Sequence, residues 1–346
     1  MGRFMELDEK IGQMLMVGFR GTVVDDGHVV WRDIGERHLG GVLLFDFDVP
    51  LQRAGRNIES PRQVGALAEA LQRAADGDLL IAIDQEGGRV SRLKEECGFP
   101  PSVSAQYLGE QNDLELTYRH AATTAELLAG LGINLNLAPV VDLNTNPDNP
   151  IIGGKERSFS ADAGMVAAQA HAVVAAHRER GVRCALKHFP GHGSSADDSH
   201  QGLVDVTRTW SRRELEPYER LVDEGLADAV MTAHVFHAEL DPQYPATLSE
   251  AIISGLLRRN LAFDGVVISD DIMMGAIARH YGFEKALEMA INAGVDIIAI
   301  ANNLDYVEDI CSRAVVLIKE MVGDGRVSET RIDEAQQRIR RLKDGI

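Results

Sequence analysis

The chain has 346 residues, of which 45% are hydrophobic, and its formal net charge at pH 7 is -18. This length and hydrophobic content suit one α/β barrel with a large core. The strong negative charge argues against nucleic acid and acidic membrane surfaces as partners, because both repel an acidic protein. No stretch reaches the roughly 20 apolar residues that a membrane-spanning helix needs.

The cysteines and the N-terminus bear on the cellular compartment. Cys97, Cys184 and Cys311 are far apart and show no Cys-x-x-Cys spacing. We therefore expect three free thiols in a reducing cytosol. The first eight residues are too polar for the apolar segment of a secretory signal. These features predict a soluble cytoplasmic protein, and they leave its oligomeric state open.

Eight short apolar segments alternate with helical patterns along the chain. The predicted strands are, in order, Met14–Phe19, Gly40–Phe45, Leu79–Ile83, Ile133–Val141, Val182–Leu186, Ala229–Ala233, Gly265–Ser269 and Val295–Ala301. Helical patterns end before the first strand and begin at Ser60, and further helices are predicted at Leu114–Leu131, Ala161–Arg180, Ser211–Glu224, Ser249–Arg259, Phe283–Ala293, Leu304–Met321 and Ser328–Lys343. Serine is a favourable helix N-cap, which supports the starts at Ser60 and Ser249.

This alternation predicts parallel strands joined by right-handed crossovers. Eight such units without a linker predict an α/β fold with a single (β/α)8 TIM-type barrel that forms one catalytic domain over residues 1–346. A doubly wound open sheet is the alternative, although the G-x-G-x-x-G fingerprint of a dinucleotide fold is absent after the first strand. In a barrel, the carboxyl ends of all strands meet at one face. We expect that face to gather a set of polar residues that follow different strands: Asp84, Asp142, Lys187, His188, His234 and Asp270.

The segment Lys187–His200, hereafter the histidine loop, follows the fifth predicted strand and contains three histidines. Asp198 precedes His200 by two residues, so its carboxylate could orient the imidazole and tune its basicity. Such a pair suits general acid/base catalysis near neutral pH. The alternative is a solvated polar loop, but titratable groups at this density beside a strand end are more typical of a functional site.

Two further positions suggest the chemistry of a sugar site. Asp270 ends the seventh predicted strand, where a carboxylate could act as a nucleophile or stabilise a cation. A helix cap or a metal ligand are the alternatives for this residue. Asp84 could accept hydrogen bonds from adjacent hydroxyl groups, and Arg92 follows closely. Glu86 is a competing catalytic carboxylate, but beside two glycines we expect it to be structural.

Several of these motifs resemble family 3 of the glycoside hydrolases. They are Asp84-Gln85-Glu86-Gly87-Gly88-Arg89-Val90, the start of the histidine loop with Asp198-Ser199-His200, Ser269-Asp270-Asp271 with Met274, and the tail from Arg331. Within the family they are similar to the β-N-acetylhexosaminidase branch that recycles bacterial cell-wall fragments. The resemblance covers nearly the whole chain, and the histidine loop is its most specific part.

The resemblance implies a retaining exo-β-N-acetylglucosaminidase, with no metal or other cofactor and a carbohydrate containing N-acetylglucosamine as its substrate. It implies that Asp270 is the nucleophile and that His200 is the acid/base, oriented by Asp198. The substrate-binding residues implied are Asp84, Arg92, Arg157, Lys187 and His188, with His234 beside them. The segment before Arg157 is slightly longer than the family's usual run, so Lys155 could share the work of Arg157.

Three alternatives stay open on the sequence. A metal-dependent barrel hydrolase could ligate zinc through His188, His192, His200, His234 and Asp270. The same site could use phosphate in place of water as the acceptor, since a histidine acid/base tolerates an anionic nucleophile. A non-catalytic sugar-binding barrel is the third alternative. The sequence also leaves open whether the natural substrate is a muropeptide or a chitin-like oligosaccharide.

Overall fold

The structure is a computed structural model that describes residues 5–197 and 202–344. Eight parallel strands form its central sheet: β1 (Leu15–Gly18), β2 (Gly41–Leu44), β3 (Leu80–Ile83), β4 (Leu135–Asn136), β5 (Arg183–Phe189), β6 (Ala229–Thr232), β7 (Val266–Ile268) and β8 (Ile298–Ile300). Their spatial order is β7-β6-β5-β4-β3-β2-β1-β8, so neighbours in the sheet are neighbours in the chain except where β1 meets β8.

A single bridge between Ile268 and Ile297 joins the two outer strands of this order. Backbone hydrogen bonds accompany it, from Ser269 N–H to Ile297 O at 2.9 Å and from Ile297 N–H to Val267 O at 3.0 Å. The Ser269 hydroxyl then accepts from Ala299 N–H at 2.9 Å. The sheet therefore closes on itself, and the predicted TIM-type barrel is confirmed.

Helices surround the barrel. They are α1 (Leu7–Gln13), α2 (Val29–Arg37), α3 (Pro61–Ala74), α4 (Ala105–Gln111), α5 (Leu114–Gly130), α6 (Ala163–Arg178), α7 (Glu216–Asp223), a π-helical segment (Ala251–Asn260), α8 (Gly275–Tyr281), α9 (Phe283–Ala293), α10 (Ile310–Gly323) and α11 (Glu329–Lys343). Ser60 caps α3 by accepting from Gln63 N–H at 3.3 Å, as its position predicts. No helix among the described residues is both long enough and apolar enough to cross a membrane.

The sequence pattern misses or misplaces some elements. It does not predict α2, α4 or α8, which are only 9, 7 and 7 residues long and so offer a short pattern. The predicted helix at Ser211–Glu224 begins with a 3-10 turn, Arg212–Leu215, and the one at Leu304–Met321 begins only at Ile310. Predicted strand Ile133–Val141 pairs continuously only over β4, and pairing resumes with an isolated bridge from Val140 to Lys187.

The strands position the polar residues that follow them. Every residue of β3, β6, β7 and β8 is buried, as expected for a barrel enclosed by helices. Asp84 follows β3 directly, and Asp270 lies two residues beyond β7. Lys187 and His188 are the two residues before Phe189, the last residue of β5. All strands are parallel, so these residues lie at the same face of the barrel.

Candidate active site

An ion-pair chain of five side chains crosses the mouth of the barrel: Arg92, Asp84, Lys187, Glu86 and Arg157. Its outer part is accessible, since the side chains of Arg92 and Asp84 are 28% and 21% exposed. Arg92 donates to one carboxylate oxygen of Asp84 at 3.3 Å, and Lys187 Nζ donates to the other at 2.7 Å. The outer part therefore offers a carboxylate and a guanidinium to a ligand that enters from solvent.

The inner part of the ion-pair chain is buried. Lys187 is 2% exposed, and its Nζ also lies 2.7 Å from Oε1 of Glu86. Glu86 accepts two further hydrogen bonds from Arg157, at 2.7 Å to Nε and 2.8 Å to the terminal nitrogen. This paired geometry of guanidinium and carboxylate is both strong and directional. Glu86 thereby holds Arg157 and Lys187 in place, which agrees with the structural role predicted for it.

The alternating charges keep each group ionised despite burial. Burial acts to raise the pKa of Asp84, but Lys187 and Arg92 outweigh it and hold that pKa well below its ordinary value. The pKa of Glu86 falls to about 2, because Arg157 and Lys187 overcome the same effect of burial. Burial opposes the charge on Lys187, yet Asp84 and Glu86 raise its pKa. The mouth of the barrel therefore keeps fixed charges through the neutral pH range.

His188 joins the ion-pair chain to a buried carboxylate in the loop that follows β4, Asp142. Its Nδ1 lies 2.7 Å from Asp142 Oδ2, and its Nε2 lies 3.2 Å from a terminal nitrogen of Arg157. An arginine can only donate, so Nε2 accepts and Nδ1 carries the hydrogen. Burial acts to raise the pKa of Asp142, but His188 and the backbone N–H of His192 lower it below its ordinary value. Asp142 thus fixes both the tautomer and the orientation of His188.

Asp270 is partly exposed at the barrel mouth, and its Oδ1 accepts from Asp271 N–H at 2.8 Å. The next carboxylate, Asp271, turns toward the barrel wall. Its Oδ1 accepts from Met273 N–H at 3.1 Å and from Ala301 N–H at 2.9 Å. The two neighbouring carboxylates therefore differ in their surroundings, and the hydrogen bonds of Asp271 fix the turn after β7 and the end of β8.

His234 follows β6 but is fully buried. Its Nδ1 lies 2.8 Å from the hydroxyl of Thr247, and its Nε2 lies 2.9 Å from the backbone oxygen of Asp271. Both ring nitrogens are therefore engaged by the protein. The role of His234 in substrate binding stays a prediction, and its contacts indicate that it stabilises the residues after β7.

Arg157 contacts Glu86 and His188, whereas Lys155 is exposed.

The described part of the histidine loop is held by the loop that follows β4. Asp142 Oδ1 accepts from His192 N–H at 2.8 Å. Asn149 Nδ2 donates to the backbone oxygens of His192 and Gly193 at 2.8 and 3.2 Å. Asn146 adds a hydrogen bond to Ser195 O at 2.9 Å. These anchors fix the loop as far as residue 195.

Asp198 and His200, the predicted acid/base pair, lie outside the described residues. Of the anchors before them, sequence reasoning places Asp142 at this face of the barrel without a specific role, and it makes no prediction for Asn146 or Asn149. For Asp142 the available signal is its position at a strand end, where side chains tend to be functional. For Asn149 the signal is weak, because an asparagine in a loop rich in Asn, Pro and Gly is usually a turn residue.

The predicted zinc set is not assembled among the described residues. No group of three or more His, Cys, Asp or Glu side chains in residues 5–197 and 202–344 is arranged to hold a metal ion. The rings of His188 and His234 are engaged by protein groups at both nitrogens. Another member of that set, His200, lies outside the described residues.

The profile of the glycosyl hydrolase family 3 N-terminal domain matches residues 6–342, nearly the whole chain. This chain belongs to glycosyl hydrolase family 3. The resemblance predicted from the motifs is therefore confirmed, and this family 3 member is a glycoside hydrolase.

Curated relatives and solved structures agree with this membership. A beta-hexosaminidase of Xylella fastidiosa (strain M23) is 38% identical over 296 residues, which cover 84% of this family 3 chain and 83% of the relative. A family 3 beta-N-acetylglucosaminidase from Paenibacillus sp. str. FPU-7 superposes with a TM-score of 0.90 at 38% identity, over 99% of this chain but 63% of that one. A beta-N-acetylhexosaminidase from Beutenbergia cavernae has a TM-score of 0.87 at 31% identity and is covered over 99% of both chains.

Proposed function

We propose that this glycoside hydrolase removes terminal β-linked N-acetylglucosamine with retention of configuration, through a covalent intermediate on Asp270. The observation that carries the proposal is the pairing of a partly exposed strand-end carboxylate with an ion-pair chain at the same face of a family 3 barrel. The hexosaminidase and N-acetylglucosaminidase names of its relatives support the choice of sugar.

Recognition of the sugar is assigned to the accessible end of the ion-pair chain. Asp84 would accept hydrogen bonds from two neighbouring hydroxyl groups, while Arg92 and Lys187 donate to sugar oxygens. Arg157 is hydrogen-bonded to Glu86, and His188 is hydrogen-bonded to Asp142. Both side chains are therefore already ordered, so they would lose little conformational entropy when the sugar binds. Charged groups that are already paired also need no proton transfer before binding, because their ionisation states are fixed.

The reaction is assigned two steps. In the first, the Asp270 carboxylate attacks the anomeric carbon while protonated His200 gives its proton to the departing oxygen, so the glycosidic bond breaks as the bond to Asp270 forms. In the second, neutral His200 takes a proton from water, which attacks the same carbon and releases Asp270. Retaining glycosidases usually place two carboxyl groups about 5–5.5 Å apart for these roles. Here a histidine with Asp198 behind it replaces the carboxylic acid.

The pH profile follows from this assignment. His200 must be protonated in the first step and neutral in the second, so we expect activity to fall in both acid and base. The midpoints should lie on either side of the ordinary histidine pKa of about 6.5. A flat profile from about pH 5 to 9 would contradict the assignment of His200.

The first experiment compares turnover of 4-nitrophenyl β-N-acetylglucosaminide with that of the β-glucoside, in the presence of EDTA. We expect strong preference for the acetamido sugar and no effect of the chelator. Loss of turnover with EDTA, restored by zinc, would instead favour the metal-dependent alternative. Repeating the reaction in phosphate and testing for a glycosyl phosphate product identifies the acceptor.

Asp270→Ala tests the nucleophile. We expect turnover to fall by about 10³-fold or more, because no covalent step remains. External azide should restore part of the turnover and give a glycosyl azide of α configuration, since the small anion enters the space left by the carboxylate. Asp264→Ala is the matched control, as Asp264 is exposed and belongs to the opposite end of β7. Full activity of Asp270→Ala would refute the mechanism.

For the natural substrate we propose a muropeptide fragment of peptidoglycan, hydrolysed in the cytoplasm. The proposal rests on the histidine loop motif of the branch and on three free cysteines, of which Cys184 and Cys311 are buried. Competition between an N-acetylglucosaminyl muramoyl peptide and chitobiose tests it. A higher kcat/KM for chitobiose would contradict the muropeptide assignment, and recovery of the native protein from an extracellular fraction would contradict the compartment.

A further inference from the structure

Glu214 is a buried carboxyl group under the histidine loop that the proposed mechanism does not use. It lies in the 3-10 turn Arg212–Leu215 and is 1% exposed. A Cβ atom added to Gly191 would lie 2.5 Å from its Oε2 and 2.8 Å from its Cβ. The carboxyl group is therefore in close contact with the backbone of the loop just after β5.

Four buried oxygens in this region make no hydrogen bond of good geometry within residues 5–197 and 202–344. They are Oε1 and Oε2 of Glu214, the hydroxyl of Ser194 and the hydroxyl of Tyr218. Buried polar atoms are nearly always hydrogen-bonded, so such a group calls for a physical explanation. Ser194 and Tyr218 can donate as well as accept, and a protonated carboxylic acid can do both too. A protonated Glu214 can therefore donate to a neighbouring oxygen such as that of Ser194, which a carboxylate cannot do.

The charges around Glu214 favour the protonated form. Asp142 faces it from the end of β4, Tyr218 faces it from α7, and the neighbouring histidine of the loop is His192. Burial lowers the pKa of His192 to about 4, so this ring carries no positive charge near neutral pH. No described lysine or arginine pairs with Glu214. Burial, aided by Asp142 and opposed by Ser194, raises the pKa of Glu214 to about 8.

We propose that Glu214 is a positioning residue that holds the histidine loop in its active conformation as an uncharged carboxylic acid, and that loss of its proton releases the loop. It acts from the 3-10 turn that precedes α7, whereas the anchors Asp142 and Asn149 belong to the loop after β4. Asp198 and His200 follow this segment in the sequence, so we expect a change at Glu214 to alter catalysis and not the binding of the sugar. This inference rests on the proposed function only in assigning the acid/base to that loop.

The chain carries a natural reporter of the loop. Trp210 Nε1 donates to Pro190 O at 3.0 Å, and the only other tryptophan is Trp31. In a Trp31→Phe background, tryptophan fluorescence therefore reports on the loop without any substrate. We expect a change in emission with a midpoint near pH 8, and we expect it to be absent when Glu214→Gln is added.

Ser194→Ala provides a second variant that keeps the carboxyl group. The Ser194 hydroxyl favours the ionised form of Glu214, so its removal should move the fluorescence midpoint to higher pH. Thermal melts of each variant establish that it is folded at the pH of measurement. The proposal would be overturned if the fluorescence transition persisted unchanged in Glu214→Gln, or if its midpoint were the same in Ser194→Ala as in the wild type.

Kinetics distinguish positioning from a general loss of structure. We expect Glu214→Gln to keep kcat at neutral pH within about threefold. Above pH 8 it should lose less activity than the wild-type enzyme, in which release of the loop adds to the loss of the proton from His200. Glu214→Ala should lower kcat about tenfold or more and change KM much less, because the sugar subsite is elsewhere. Equal alkaline loss in the wild type and Glu214→Gln would contradict the proposal. If no glycoside is turned over but the fluorescence transition depends on Glu214, the proposed function fails and the role of Glu214 stands.

Discussion

Two buried glutamates at the catalytic end of the barrel, Glu86 and Glu214, have pKa values shifted in opposite directions. Both lose hydration on burial, which by itself raises the pKa of a carboxyl group. Arg157 and Lys187 reverse that effect for Glu86. Glu214 has Asp142 nearby and no paired cation among the described residues, so burial dominates. The surrounding side chains therefore give one residue type two different chemical states at neutral pH.

Glu86→Gln tests the importance of the buried anion. We expect it to lower the free energy of unfolding at pH 7 by about 3–5 kcal/mol, because two buried cations lose a charged partner. We also expect kcat/KM to fall more than tenfold as Arg157 loses its fixed position. Since the pKa of Glu86 is lowered in the folded state, its stabilising effect should vanish as pH falls from about 4.5 to 2. Chemical denaturation at several pH values measures this.

Glu69→Gln is the matched control for Glu86→Gln. Glu69 pairs with Arg73 on the exposed surface of α3, and its side chain is 73% exposed. The loss there should not exceed about 0.5 kcal/mol. An equal effect of the two substitutions would show that the buried ion-pair chain contributes no more than a surface pair.

The contribution of Glu214 to the free energy of unfolding should show the opposite dependence on pH. Its pKa is raised in the folded state, so the wild-type protein should lose stability relative to Glu214→Gln as pH rises from about 4.5 to 8. The change over this range should be of the order of 3–5 kcal/mol and should level off above it. Parallel denaturation curves of the two proteins across the range provide the test. A constant difference would mean that Glu214 titrates at its ordinary pKa.

At the scale of elements, the histidine loop depends on close backbone contact with the loop after β4. A Cβ atom added to Gly193 would lie 1.7 Å from Leu143 O, which cannot move without breaking the neighbouring turn. We therefore expect Gly193→Ala to displace the loop and reduce kcat about 10²-fold or more, with the barrel still folded by circular dichroism. Activity within twofold of wild type would show that the contact is not needed.

Gly65→Ala serves as the control for that substitution. Gly65 lies in α3, and a Cβ atom there meets no described atom within 4 Å. Alanine should be neutral or stabilise the helix by about 0.5–1 kcal/mol, and it should leave kcat unchanged.

Sequence patterns identify the barrel because its strands are short, apolar and regularly spaced. They also find Asp84, Lys187 and Asp270, since strand-end positions follow from the strands. They miss α2, α4 and α8, whose short length gives little periodicity. They do not indicate the direction of the His234 side chain, which shares its strand-end position with Lys187 but contacts Thr247. Side-chain direction after a strand depends on tertiary packing, which spacing along the chain does not encode.

At the scale of the whole molecule, a second buried charge cluster stabilises the end of the barrel opposite the catalytic face. Asp296 is fully buried, just before β8, and accepts from Arg258 and Arg331 at 2.5 Å each. It also accepts from Val267 N–H at 2.9 Å and lies 3.4 Å from Arg338. One carboxylate therefore connects β7, the π-helical segment and α11. All of these contacts are between groups of the protein itself.

Asp296→Asn should separate stability from activity. We expect a loss of about 3–5 kcal/mol in the free energy of unfolding, because a buried arginine pair loses its anion. At a temperature well below the melting point, kcat and KM should stay within about twofold of wild type. Asp264→Asn is the control, since Asp264 is 64% exposed and pairs with Arg338 and Arg341. A large drop in kcat for Asp296→Asn would contradict the separation.

The closure between β7 and β8 has a consequence for thermal fluctuations of the barrel wall. Only one bridge joins these strands, and two amides of the neighbouring wall, those of Ala299 and Ala301, donate to the side chains of Ser269 and Asp271. A side chain can rotate away without separating the strands, so we expect these two amides to exchange with deuterium through local opening, faster than those of β2. Asp270 lies between the two acceptor side chains. If Asp270 is the nucleophile, as proposed, we expect a trapped glycosyl-enzyme to slow exchange at Ala299 and Ala301.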